Sequence, residues 1–256
     1  MRRGPGLIAS MLLLLLALAG CGGDKTSYPK TATMVGPIGQ NEDAVWVYRP
    51  AGKPKDVVVF FHGQGGPDEA TPKNHLPWIR HLVQKGSIVV YPRWEVLYTQ
   101  DPIPYIVSSV RAATKRVDVE GLPVLAIGYS RGGALAVEYG AVAPKNKLPV
   151  PGEILSIFPA SVGNEGHIVD LKGLDHSTQL VIQMGQADRV VGRTGARHLL
   201  RRLQAGGFPA PNVRLDFVRS GPGFVADHVA PLRTTAAAQA AFWGVADELL
   251  AELNKS

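Results

Sequence analysis

The sequence predicts an α/β fold, with a mostly parallel central sheet carrying helices on both faces. Three observations predict it. Short, largely apolar runs recur at 57–61, 88–91, 124–128, 153–158 and 179–184, unbroken at 57–61, as strands covered on both faces require. Segments of helical spacing lie between them, the arrangement that joins parallel strands. One junction, Gly128-Tyr129-Ser130-Arg131-Gly132, links a buried run to a helix of small and apolar residues through a turn tight enough to need flanking glycines.

Composition sets the bounds. The chain has 256 residues, 45% hydrophobic and 19% charged, which suits one domain with one sizeable core. Internal repeats and charge blocks are absent. Basic residues exceed acidic ones by 27 to 21, a net charge of +6, but they are scattered and not interleaved with aromatics. That pattern describes a solvated surface and argues against a nucleic-acid partner. A single cysteine excludes an internal disulfide.

The N-terminus has its own logic. Arg2 and Arg3 precede an apolar run over 7–19, too short to span a bilayer comfortably as a permanent helix. This reads as a signal peptide over 1–20. The run ends Leu18-Ala19-Gly20-Cys21, which resembles the lipobox of bacterial lipoproteins. The resemblance implies that Cys21 is lipidated after cleavage, anchoring the chain to a membrane on the extracytoplasmic side of the cell envelope. Residues 21–30 then form a polar tether and 31–256 the domain. Ordinary secretion with cleavage near Gly20 or Cys21 is the alternative.

The domain is read in order. Residues 31–35 and 44–48 are β-branched or aromatic and form an antiparallel pair at a sheet edge, separated by the turn-rich 36–43. The strand at 57–61 runs into His62-Gly63-Gln64-Gly65-Gly66, a glycine-rich loop without the Lys-Ser/Thr ending of a phosphate-binding loop. A helix over 78–85 stops at Gly86. Trp94 and Tyr98 follow the strand at 88–91; they either line a pocket beyond the strand ends or form an apolar cluster under a loop. Residues 101–117 are helical, with Asp101 as N-cap and Ile103, Ile106, Val107 and Val110 on one face. The strand at 124–128 meets the Ser130 turn and a helix over 131–143. After 153–158 comes an irregular stretch, 159–178, long enough for at most a small flap. Asp188 lies just past the strand at 179–184. A helix over 192–203 carries basic residues on a solvated face. The strand at 213–218 precedes a mobile glycine-rich loop, 220–231, bearing His228, and an alanine-rich helix over 233–253 closes the domain.

The Ser130 turn admits two readings. It is either an ordinary strand-to-helix connection or a device that holds a hydroxyl clear of the backbone, beside a helix N-terminus that favours developing negative charge. Taken with the glycine-rich loop and the chain order Ser130, Asp188, His228, residues 44–253 resemble the α/β-hydrolase family. The resemblance implies an α/β-hydrolase fold with little or no lid and an open, shallow site. It implies Ser130 as nucleophile, His228 as base and Asp188 as the acid that orients it. It implies an oxyanion hole from the backbone N–H groups of Gln64 and Arg131, with His62 holding the loop through its ring nitrogens. It requires no metal and no cofactor. The compact layout is similar to small esterases of the dienelactone-hydrolase and depolymerase kind. Asp170 and Asp175 are rival acids one strand too early, and His75, His81, His167, His176 and His198 lack the placement of His228. The resemblance implies a carboxylic ester as substrate, small or lipid-like. Acyl transfer, amide or cell-wall ester cleavage on the same three residues is an alternative, as is a non-catalytic binding lipoprotein on the same fold.

Overall fold

The computed structural model describes residues 33–65, 69–95, 100–161 and 168–255. The signal-peptide, Cys21 and tether readings, together with Gly66, Tyr98 and His167, lie outside the described residues. Among the described residues no helix is long and apolar enough to cross a membrane.

Among the described residues eight strands form one sheet: β1 (Thr33–Ile38), β2 (Val45–Arg49), β3 (Asp56–Phe61), β4 (Ser87–Pro92), β5 (Val124–Tyr129), β6 (Glu153–Ile157), β7 (Gln179–Gly185) and β8 (Val213–Val218). Their order is β1-β2-β4-β3-β5-β6-β7-β8. The β1–β2 and β2–β4 pairs are antiparallel and every other pair is parallel, so the antiparallel edge sits where the sequence places it. β1 runs on to Ile38, beyond the expected end at 35. The Gly36-Pro37 pair that reads as the start of a turn is a register shift inside the strand, after which Ile38 pairs with Val45. Proline lacks an N–H for the ladder and is tolerated at such irregularities on an edge strand.

Both faces of the sheet are covered, which is why the central strands show no polar alternation. Along β3, Val57, Val59 and Phe61 join one core with Ile106, Val110, Leu135 and Leu199. Val58 and Phe60 point the other way and join Trp78, Leu82, Phe242 and Leu249. The first core packs α2 (Ile103–Thr114), α3 (Arg131–Asn146) and α4 (Thr194–Ala205); the second packs α1 (Leu76–Lys85) and the C-terminal helix.

Several ends differ from expectation. Asp101 does cap α2, its carboxylate accepting from the Ile103 N–H at 2.9 Å, but the helix stops at Thr114 rather than 117. The last helix begins at α5 (Ala236–Ala238), where the Thr235 side chain accepts from Ala238, and reaches α6 (Gly244–Leu253) through one π-helical turn at Gln239–Trp243. The basic face of α4 is not wholly solvated. Arg202 is partly buried, donating to Glu138 of α3 at 2.7 Å and to the Val169 carbonyl at 2.9 Å. Helical periodicity assigns a basic residue to water, whereas a buried carboxylate on a neighbouring helix draws this one inward.

Candidate active site

The parallel strands aim their C-terminal ends at one edge, and the site is built there. The run into Ser130 is extended and the run out is helical, so all the turning falls on one residue. Ser130 adopts φ 57° and ψ −123°, outside the ordinary regions for a residue with a Cβ. The strained turn is held at three points. The Ser130 N–H donates to Ile157 at 2.9 Å, and its carbonyl accepts from Gly133 at 2.9 Å and Ala160 at 3.0 Å. The flanking glycines are steric necessities. A Cβ on Gly128 would collide with the Gly132 carbonyl oxygen, and one on Gly132 would collide with the His62 carbonyl oxygen.

The structure brings Ser130, His228 and Asp188 into one row. His228 Nε2 is 2.9 Å from Ser130 Oγ, and His228 Nδ1 is 2.9 Å from Asp188 Oδ2. The Asp188 side chain is fully buried and that of His228 nearly so. The two carboxylate oxygens divide the work. Oδ1 accepts from the N–H groups of Val190 and Val191 at 2.9 and 3.2 Å, and Oδ2 faces the imidazole. One side chain therefore both braces its own turn and orients the imidazole. Such an arrangement fixes the tautomer with its proton on Nδ1, leaving Nε2 free to accept the serine proton.

The loop bearing His228, read as mobile, is stapled. Arg233 donates to Asp227 and to the Val225 carbonyl, both at 2.7 Å. The Ala187 N–H donates to Ala226 at 3.0 Å, tying the acid loop to the histidine loop. Tyr129 walls the site, its ring centroid 5.2 Å from that of His228, and burial pushes its phenol up so that it stays neutral.

Gln64 and Arg131, expected to offer backbone N–H groups, lie on the two segments beside Ser130. Gly63 packs against Tyr129 and Ser130, so the loop closes over the serine, and Arg131 opens α3. Their side chains add a contact that spacing did not reveal: Arg131 Nη1 donates to Gln64 Oε1 at 2.6 Å. His62 takes the structural place expected of it. Its Nδ1 lies 2.6 Å from the Gly63 carbonyl oxygen and its Nε2 2.6 Å from that of Arg93. Burial lowers its pKa to about 4, so the ring is neutral and donates to one carbonyl at a time. Trp94 is wholly buried in the core and stacks on His62 at 4.7 Å, so it supports the loop instead of lining a pocket.

The rival groups are committed elsewhere. Asp170 accepts from the Lys172 N–H, and Asp175 accepts from the N–H and hydroxyl of Ser177. His81 pairs with Asp247, His176 packs on Phe208, and His75 lies buried 3.5 Å from Glu69.

No family model matches the sequence, and no curated protein matches it. Solved structures match the fold. A carboxyl esterase 2 from Tuber melanosporum aligns at TM-score 0.64 and 17% identity, over 90% of this chain and 89% of that one. Esterase B from Lactobacillus Rhamnosis aligns at 0.62 and 16%, over 89% and 87%. A butyrate-bound esterase from Thermogutta terrifontis aligns at 0.60 and 17%, over 87% and 94%. The chain thus has the α/β-hydrolase fold that its strand order, antiparallel edge and Ser130 turn describe.

Proposed function

We propose that this protein is a serine hydrolase that cleaves carboxylic esters through an acyl-enzyme on Ser130. The observation that carries the reading is the row Ser130 Oγ, His228 Nε2, His228 Nδ1, Asp188 Oδ2, with both links at 2.9 Å. Three groups from separate loops meet in the geometry that makes a hydroxyl nucleophilic, and a binding module needs no such row. The aligned structures named as esterases support the same chemistry.

The steps follow from the geometry. Ser130 Oγ attacks the ester carbonyl while His228 Nε2 takes its proton. Asp188 holds the resulting imidazolium in place. The carbonyl oxygen becomes an oxyanion, met by the N–H groups of Gln64 and Arg131 at the start of α3. Collapse breaks the bond to the alcohol, which leaves with the proton from His228. Water, deprotonated by His228, then attacks the acyl-enzyme and releases the acid and Ser130. Exposed Val190, Val225 and Val229, on the loops of Asp188 and His228, offer apolar surface to an acyl or alcohol group. The proposal places the enzyme on the extracytoplasmic side of the cell envelope, anchored through lipidated Cys21.

The test is hydrolysis of p-nitrophenyl esters of graded acyl length by the chain lacking residues 1–21. Ser130→Ala should lower turnover by roughly a millionfold, as loss of a triad nucleophile does in subtilisin. Turnover unchanged by that substitution would sink the reading.

A further inference from the structure

Gln64 and Arg131 lie 67 residues apart in the chain. The proposed reaction asks the same of both, a backbone N–H aimed at one oxygen. Their side chains are also joined, the Arg131 guanidinium donating to Gln64 Oε1 at 2.6 Å. We infer that this side-chain bridge positions the oxyanion hole, holding its two amide donors at one spacing; the inference rests on the acyl-enzyme reading of Ser130.

The surroundings favour a positioning role over a chance surface contact. Arg131 is only 2% exposed, although it carries a charge. Its guanidinium lies 5.3 Å from the centroid of the Trp94 ring, within cation–π range. Trp94, held at φ 38°, stacks in turn on His62, whose ring nitrogens reach the carbonyls of Gly63 and Arg93. Four side chains thus tie the loop of Gln64 to the first turn of α3. A charge-assisted bond inside such a stack is short, directional and costly to leave. Neither amide can drift from the other without breaking it. Because the donors act mainly on the charge of the tetrahedral species, losing the bridge should weaken that species more than the planar ester.

The test compares Gln64→Leu, Arg131→Met and the double variant on p-nitrophenyl butyrate. It also measures the affinity of a butyl trifluoromethyl ketone, which forms a reversible tetrahedral adduct on an active serine. Each single variant should lose about tenfold to a hundredfold in kcat, less than the 10²–10³ lost when a donor is removed outright. KM should stay within about twofold and ketone affinity should fall by the same factor as kcat. The double variant should be no worse than the poorer single, as residues acting as one unit are. Gln64→Glu, which keeps an acceptor for Arg131, should return to within about threefold of the parent. If Arg131→Met fails to fold, the two half-buried Gln64 variants decide the question. A Gln64→Leu protein with unchanged kcat and ketone affinity overturns the bridge alone, as does a loss confined to KM. A parent protein that neither hydrolyses the ester nor binds the ketone overturns the acyl-enzyme reading, and the bridge with it.

Discussion

At the scale of single residues, Ser130 holds a backbone conformation that costs about 1–3 kcal/mol and is kept only because Ile157, Gly133 and Ala160 bond it on all sides. The fold spends stability to present one hydroxyl, and that hydroxyl faces an imidazole rather than solvent. Asp188 is the more revealing partner, because its two oxygens can be separated by substitution. Asn at 188 can keep the Oδ1 bonds from Val190 and Val191 while presenting an amide N–H to His228. The imidazole must then turn its acceptor toward position 188 and its proton toward Ser130. Asp188→Asn should therefore lower kcat by about 10⁴ with an unchanged thermal midpoint. Steady-state kinetics beside a melting curve checks both halves, and an equal loss of stability and activity would assign Asp188 to the turn alone.

Among the elements, the parts governed by local sterics were legible in the sequence. The apolar runs of β3 and β5 report burial on both faces. The glycines at 128 and 132 report the close approach of α3 to the ends of the strands, since a Cβ at either meets backbone. What was not legible depends on partners distant in the chain. The Glu138–Arg202 pair joins residues 64 apart, and nothing in the periodicity of α4 tells an arginine drawn inward from a solvated one. The Arg131–Gln64 bridge escaped for the same reason, and Trp94 showed its place only once His62 and Arg131 stood on either side of it. The Gly36-Pro37 irregularity was missed because a strand with a bulge and a strand with a turn use the same residues. The buried pair carries its own prediction. Arg202→Met removes one charge and leaves the other in a low-dielectric contact between α3 and α4, and should destabilise by about 3–5 kcal/mol in urea unfolding. A change below 1 kcal/mol would show that the pair is solvated.

For the whole molecule, the sheet has a chemical end and a structural end. The three residues of the row gather at the C-terminal ends of the strands. At the opposite end, Glu153 opens β6, nearly buried, and its pKa is raised to about 7 by burial and by the nearby charge of Glu252. The protonated carboxyl is thus favoured in the folded chain. Folding stability from this group is fully present below the ordinary carboxylate pKa and is lost as pH rises toward 7. Glu153→Gln should therefore raise the thermal midpoint at pH 8, by roughly the 2–4 °C that 1 kcal/mol gives a domain of this size, and leave it unchanged at pH 4. Calorimetry at the two pH values checks it, and a gain at pH 4 would contradict the assigned cause. Activity should not follow this titration, because the group lies a full strand length from Ser130.

The central claim is that one hydroxyl among many is made nucleophilic by its two partners. The direct measurement is intact-mass and peptide mapping of the chain after exposure to a fluorophosphonate. The account predicts a single adduct on Ser130, lost in Ser130→Ala and slowed at least a hundredfold in His228→Ala. No adduct, an adduct on another serine, or undiminished labelling without His228 would contradict it.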